Sequence, residues 1–457
     1  MKRIIPLALI IAVALSACKK NSDIISSIGG ATNKADTLRG NITSDLTLDI
    51  NKNYFLDGQV YVINNATLSI PAGITVNAIK YDDRNKKSSL IITKGSKLNI
   101  NGTVDKPVVF TSAASSKSPG DWGAVIVLGN SFTNIQTGNI PGFDVAANTE
   151  FGGTNNADNS GSIKFLRLEY CGGINPDNED EWAVDKASGL SLECVGSGTT
   201  IDNVMVEHSN DDGFQFVGGT VNATHLIGYN NGDDDFDFDL GFQGKLQYII
   251  SYRTQLLSTH AIRANGIESY NDEVPTANKP LTRPIVSNAT IIGPQGMEIT
   301  KTNLNQGVYI RKGTRFVIQN SIIAEYPQGG LMVCNKTRPV LLANNGSQFR
   351  YNLVNSDSAS RTFSWDKDYA VIGDPVLREF ALNSVNNNTQ IDQSASLNFK
   401  AMYATGAPDL TLLTGSPALS GSNFDGPDFD TFFTKVTYRG AMEADNWAVA
   451  SNWAMWK

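Results

Sequence analysis

The residues of this chain best suited to chemistry are crowded into two short segments. Ser209-Asn-Asp-Asp-Gly-Phe-Gln-Phe216 and Asn231-Gly-Asp-Asp-Asp-Phe-Asp-Phe238 superimpose at one constant offset, so that Asp211 falls on Asp233 and Asp212 on Asp234. Asp235, Asp237 and Asp239 complete a set of seven carboxylates. Carboxylates held this close raise one another's pKa unless a cation intervenes. Oxygen-only ligands suit Ca²⁺, which takes six to eight of them at about 2.4 Å. Asp211, Asp233, Asp234 and Asp237 are the expected ligands. An EF-hand is excluded, because the sixth position counted from Asp233 is Phe238 and from Asp235 is Leu240, where that loop requires Gly. The competing reading is an Asp ladder that caps turns and solvates an outer face.

Two kinds of catalysis fit such a cluster. A lyase needs a Lys or Arg to take a proton one or two repeats away, and Lys245, Arg253 and Arg263 are the candidates, though none sits in a motif that singles it out. Inverting hydrolysis needs two carboxyls about 6.5 to 9.5 Å apart, which any acidic ladder can supply. His208, His225 and His260 lack metal-ligand spacing and read as groove or corner residues. No Ser nucleophile elbow, P-loop or dinucleotide fingerprint is present. Tyr170, Trp182 and Tyr252 are aromatics that could stack on sugars or simply pack.

The elements that position these acids follow from two periods. The longer one, from Asp211 to its counterpart Asp233, is a fixed repeat and means one supersecondary unit stacked on the next. Within the second copy Phe236, Phe238 and Leu240 alternate with Asp235, Asp237 and Asp239, a strand with an apolar inner face and an acidic outer one. The unit is too short for a strand plus crossover helix, which needs about 30 residues. It is long enough for short strands joined by turns, and the economical arrangement is a parallel β-helix with rungs about 4.8 Å apart. Phe214, Phe216, Phe236, Phe238 and Leu240 should then form one stacked inner column.

The rest of the chain fits that scheme. Its 457 residues include 41 Gly and only 18% charged residues, as expected of an all-β solenoid with a polar turn at every corner. A net charge of −8 disfavours a nucleic-acid partner, whose phosphates demand Lys and Arg, and favours cations or neutral and basic ligands. Lys2 and Arg3 precede the apolar run Ile4 to Leu15, which is too short to span a bilayer and reads as a signal peptide over residues 1–17. Leu15-Ser-Ala-Cys18 looks like a bacterial lipobox, which implies lipidation of Cys18, an anchor in the outer membrane and a flexible tether over 18–44. Cys171, Cys194 and Cys334 remain, an odd number without a Cys-x-x-Cys, and buried free thiols are expected although Cys171 and Cys194 could stack.

Alternating β-branched runs begin at Leu46 and continue through Thr67 to Val76, Leu90 to Thr103, Pro107 to Ser112 and Trp122 to Gly129, so the β-helix is expected over residues 45–435. Residues 173–187 interrupt it with an acidic loop around Trp182, read either as a functional excursion or as a solvated one. Asn288 and Asn320 head two matching strands and are expected at corners, where Asn tolerates the left-handed conformation. The Trp-rich end, 436–457, is expected to pack back on the coil as a cap over its open edges.

Ile70-Pro-Ala-Gly, Leu98-Asn-Ile-Asn-Gly-Thr with Pro107-Val-Val-Phe-Thr-Ser, Gly120-Asp-Trp-Gly, Asn210-Asp-Asp-Gly-Phe and Gly232-Asp-Asp-Asp-Phe-Asp together resemble a family of β-helical outer-membrane lipoproteins. The resemblance implies a right-handed parallel β-helix anchored at the cell surface or in the periplasm, and no transferable activity. More distantly, the Asp-Asp-Gly-Phe motif is similar to calcium-dependent polysaccharide lyases of the β-helix class, in which paired acids hold calcium and a nearby Lys or Arg removes a proton. The leading expectation is a cell-envelope lipoprotein that presents a groove for a glycan or a partner, accessory to an outer-membrane transporter. The second is a calcium-dependent lyase acting on an acidic polysaccharide.

Overall fold

The computed structural model describes residues 34–83, 86–137, 149–173, 188–254, 264–272, 277–294, 306–343, 346–367, 370–404, 406–448 and 453–456. The segment read as a signal peptide, Cys18, most of the acidic loop with Trp182, His260 and Arg263 lie outside these residues. Most strands join into one coil of parallel rungs with three faces, here called sheets I, II and III in the order the central rungs visit them, while Ala370–Gly373 pairs antiparallel with Phe363–Lys367 and Phe399–Ala401 forms a separate antiparallel pair with Asp409–Leu412. In the central rungs one long strand supplies both sheet I and sheet II: Thr200–Glu207 pairs in register with Asn222–Tyr229, which pairs with Lys245–Tyr252. Short strands form sheet III, where Leu190–Glu193 pairs with Phe214–Val217 and that strand with Phe236–Asp239. Phe214 lies directly on Phe236, as the offset of the two acidic motifs requires.

A left-handed residue turns each long strand from sheet I to sheet II. Phe165, Asn203, His225, Tyr248, Asn288 and Asn320 occupy this corner, with φ between 51° and 59°. Asn visits that region at little cost, whereas aromatic side chains do so only when neighbours fix them. The neighbours here are the rungs above and below. Asn288 and Asn320 are corner residues as expected, but their amides reach away from their own turns: Asn288 Nδ2 donates to the Tyr438 carbonyl at 3.0 Å, and Asn320 Oδ1 accepts from the Asn423 amide at 2.8 Å.

Alternation fills the interior with one contiguous apolar core. Phe214 stacks on Phe236 with ring centroids 5.1 Å apart, and Phe216 on Phe238 at 5.2 Å. Leu240 does not continue this column. The strand ends at Asp239, Leu240 turns outward at φ 46°, and Phe242 takes the inner place 5.4 Å from Phe238. Cys171 lies in this core and Cys194 in an apolar cluster outside sheet III, and both are buried free thiols.

The coil starts at Lys34, inside the segment read as tether, and its last parallel rung is Thr389–Gln390. A helix at Pro375–Leu382 closes that end by inserting Leu377 and Ala381 into the core. The chain then turns back along the flank. Phe424, Phe429 and Phe433 pack on Ile285 and Val317 of sheet I. Met442, Trp453 and Trp456 cover Met205, Ile227, Ile250 and Tyr252 of sheet II. The Trp-rich tail therefore does pack on the coil, but over its side, because the end is already filled by the helix and the outer face of sheet II is apolar.

Candidate functional site

Each rung passes from sheet II to sheet III through a turn, and two of these turns carry the acids. Residues 209–213 and 231–235 stack through Gly232 N to Ser209 O at 2.8 Å and Gly213 N to Asp234 O at 2.8 Å, with the Asn231 side chain accepting from the Ser209 amide at 2.9 Å. The glycines of both motifs permit this approach: a Cβ on Gly232 would lie 2.5 Å from the Asn210 carbonyl oxygen, and one on Gly213 would lie 2.5 Å from Asn231 Nδ2. The stacking brings one carboxylate oxygen each from Asp211, Asp212 and Asp233 within 4.8 Å of one another.

Two of the four expected ligands, Asp211 and Asp233, belong to this trio, and Asp212 joins them. Asp234 lies outside the trio, and its Oδ1 accepts from the Asn265 amide of the next turn at 2.6 Å. Asp237 sits on the sheet itself, between Gln215 and Glu268 in one outward column. The outward acids are not solvated, for Asp237 is 5% exposed and Asp239 is fully buried; Asp235 is not among them, because it turns inward and accepts from Ser251 Oγ at 2.5 Å and from Asn231 Nδ2 at 2.8 Å. Part of the cover is the segment 129–137, a strap along the far edge of sheet III: Ser131 N donates to Cys194 O at 2.8 Å, Gly219 N to Phe132 O at 2.7 Å and Asn134 N to Leu240 O at 3.0 Å.

Among the described residues, burial without enough positive charge defines the electrostatics of this face. Burial pushes Asp212 up to about 7, opposed only in part by the Asp234 amide that donates to it. Asp233 is raised well above the carboxylate range, by burial first and then by Asp212 and Asp211. Asp237 is raised by burial and by Asp239, Asp212, Glu268 and Asp234. Among the described residues its Oδ1 is buried with no hydrogen-bond partner. Such groups are stable as anions only beside a cation.

The candidate bases do not supply it. Arg253 is fully buried, its Nε 3.2 Å from Asp235, and its guanidinium donates to the carbonyls of Asn231 at 2.7 Å, Asn265 at 3.0 Å and Asp233. It ties the second acid turn to the next turn, at Asn265, from inside. Lys245 starts the sheet I half of its strand and pairs with Asp430 of the returning tail. Arg311 was not singled out by the sequence, yet it lies on this face and pairs with Glu268. Burial is the largest influence and works against its charge, but Glu268, Tyr309 and Tyr270 together raise its pKa, so it keeps its proton. Its position, directly after a sheet III strand two rungs beyond Asp237, is the signal that could have found it.

The aromatics and imidazoles have structural surroundings. Tyr252 is buried under Trp456 at 5.4 Å, whereas Tyr170 is half-buried and stacks on His208 at 5.5 Å. His225 faces Asp202, with Nδ1 and Oδ1 2.9 Å apart.

A family model described as a pectate-lyase-like β-helix domain matches residues 40–401. The chain belongs to that family. No curated protein matches it. A pectate-lyase-like β-helix fits a role in binding or acting on carbohydrate. The matched span contains every rung of the described coil from its first sheet III strand onward, together with both acid turns.

Proposed function

We propose that this pectate-lyase-like β-helix is a cell-envelope glycan-binding protein, anchored through Cys18, in which Asp211, Asp212 and Asp233 hold a calcium ion that receives the carboxylates of an acidic polysaccharide. The observation that supports this reading is the convergence of three carboxylate oxygens within 4.8 Å on two stacked turns. With one oxygen from each, the three carboxylates leave at least three of calcium's six to eight positions for water or ligand. When bound, the ion offsets two of the trio's three negative charges and offers its open coordination positions to the glycan's carboxylates, while the backbone bonds between the turns keep the aspartates in place. Service to an outer-membrane transporter is the role proposed for such a binder.

Family membership favours a second reading, a lyase at the same site. It needs a group that gives up a proton readily near the ion, and among the described residues Arg253 is buried in backbone contacts and Arg311 is held charged by Glu268. Binding is therefore the first choice. Affinity electrophoresis in gels containing polygalacturonate or alginate tests it: retardation in calcium that disappears in chelator is expected. A rise in ultraviolet absorbance from unsaturated uronate ends would replace binding with lyase activity. Absence of both on acidic polymers would reject the glycan role.

A further inference from the structure

The Gly120-Asp-Trp-Gly123 motif lies where the chain passes from sheet II to sheet III, two rungs before the first acid turn. It reaches that turn all the same, because the amides of Gly120 and Asn210 both donate to the Cys171 carbonyl, at 2.9 and 2.8 Å. Gly120 has φ 78°, and a Cβ there would lie 3.0 Å from the Asn210 side chain, so backbone and close approach both call for glycine. Trp122 holds the motif from inside, its Nε1 donating to the Glu169 carbonyl at 2.8 Å. The Gly120 carbonyl accepts from Lys87 Nζ of the preceding sheet II to sheet III turn. Asp121 is already claimed: Oδ1 pairs with Lys80 at 2.7 Å, and Oδ2 accepts from Ser112 Oγ at 2.7 Å and the Ser118 amide at 3.1 Å. Among the described residues Lys87 is half-buried and forms no ion pair of its own. Burial lowers its pKa, Asp121 opposes this through space, and Lys80 adds to it.

We propose that Lys87, fixed by the Gly120 turn, binds a second carboxylate of the glycan whose first carboxylate meets the ion at Asp211, Asp212 and Asp233, so that the polymer runs along the stacked turns. The subsite rests on the glycan reading of the trio. An ammonium carries three donors, and the Gly120 carbonyl takes one, which leaves two for an anion. A half-buried cation whose acidic neighbour is already paired is stabilised by an anion at that place. Rungs about 4.8 Å apart put Lys87 on the order of 10 Å from the trio. One carboxylate cannot span that distance, whereas a polymer with a carboxylate on each sugar can. The same separation keeps the amine off the sugar that the ion holds, so Lys87 binds the polymer and takes no proton from it.

Affinity electrophoresis in calcium over a range of polygalacturonate or alginate concentrations tests the subsite. Lys87→Met should bind about tenfold more weakly, the loss of one charged hydrogen bond, and should keep the calcium-dependent melting of the wild type. Lys86→Gln removes an exposed charge one residue away and should change neither. Should Lys87→Met fail to fold, amine acetylation of the wild type read by mass spectrometry replaces it: polymer with calcium should protect Lys87 and leave Lys86 reactive. Wild-type retardation of a folded Lys87→Met protein, an equal loss in Lys86→Gln, or a Lys87 that the polymer does not protect would overturn the subsite and leave the glycan reading of the trio intact. A wild type that neither polymer retards would overturn both.

Discussion

Asp212 concentrates the electrostatics of the acid turns in one carboxyl. Its native pKa, about 7, lies above the value of about 3.9 for an unfolded aspartate. The native state therefore holds protons that the unfolded state has lost, and metal-free stability falls as pH rises from about 4 through 7. Asp233, Asp234, Asp237 and Glu193 act in the same direction. Chelated protein should melt higher at about pH 5 than at about pH 8, and saturating calcium should flatten that slope by binding the deprotonated form. A melting temperature that climbs over this range in chelator contradicts the assignment. At the opposite side of the turn, Arg253 is the internal counter-charge. Arg253→Met should cost about 3 to 5 kcal/mol by leaving Asp235 buried alone, and adding Asp235→Asn should recover part of the loss. Urea unfolding of both variants reads this directly, and strictly additive losses would show that the pair is not coupled.

At the scale of elements, stacked phenylalanines and the returning tail do different jobs. Phe236→Ala should cost about 3 to 5 kcal/mol in denaturant unfolding, since its ring is fully buried 5.1 Å from Phe214. A loss below about 1 kcal/mol would mean that the rung collapses to fill the space. Removal of the chain after residue 390 should leave the rungs intact but bare Met205, Ile227, Ile250 and Ile322, giving dye binding and self-association in size-exclusion chromatography. A truncated protein that stays monomeric and binds no dye contradicts the packing role. This register was legible in the sequence, because a constant offset between two motifs of a solenoid can only stack like on like, and Phe214 does meet Phe236. The cover over the acids was not. Alternation tells which way Asp237 and Asp239 point, but the strap at 129–137 comes from a distant part of the chain. Spacing also could not choose between Asp212 and Asp234 as the trio's third member. Asp212 joins the trio while accepting from the Asp234 amide and Ser188, and Asp234 instead meets the Asn265 amide of the next turn, which follows after an interval unrelated to the repeat.

For the whole molecule, the coil converts local acidity into a coupling between folding and cations. An unfolded chain keeps Asp211 and Asp233 a full repeat apart, whereas the folded rungs place their oxygens within 4.8 Å. Ions that bind only the native state stabilise it by RT ln(1 + [L]/Kd), about 2.7 kcal/mol per site when calcium is a hundredfold above Kd. Magnesium should substitute poorly, because it demands tight octahedral geometry and keeps its water. The net charge of −8 works in the same sense, drawing cations to the surface and repelling anionic polymers unless an ion bridges them. The most direct test of the central claim is a calorimetric melt of the wild type and of Asp211→Asn with Asp233→Asn, each in saturating calcium and in chelator. The wild type should melt higher in calcium, and the variant should keep only a smaller increment. Identical wild-type transitions in calcium and in chelator would contradict the claim that these turns hold a cation.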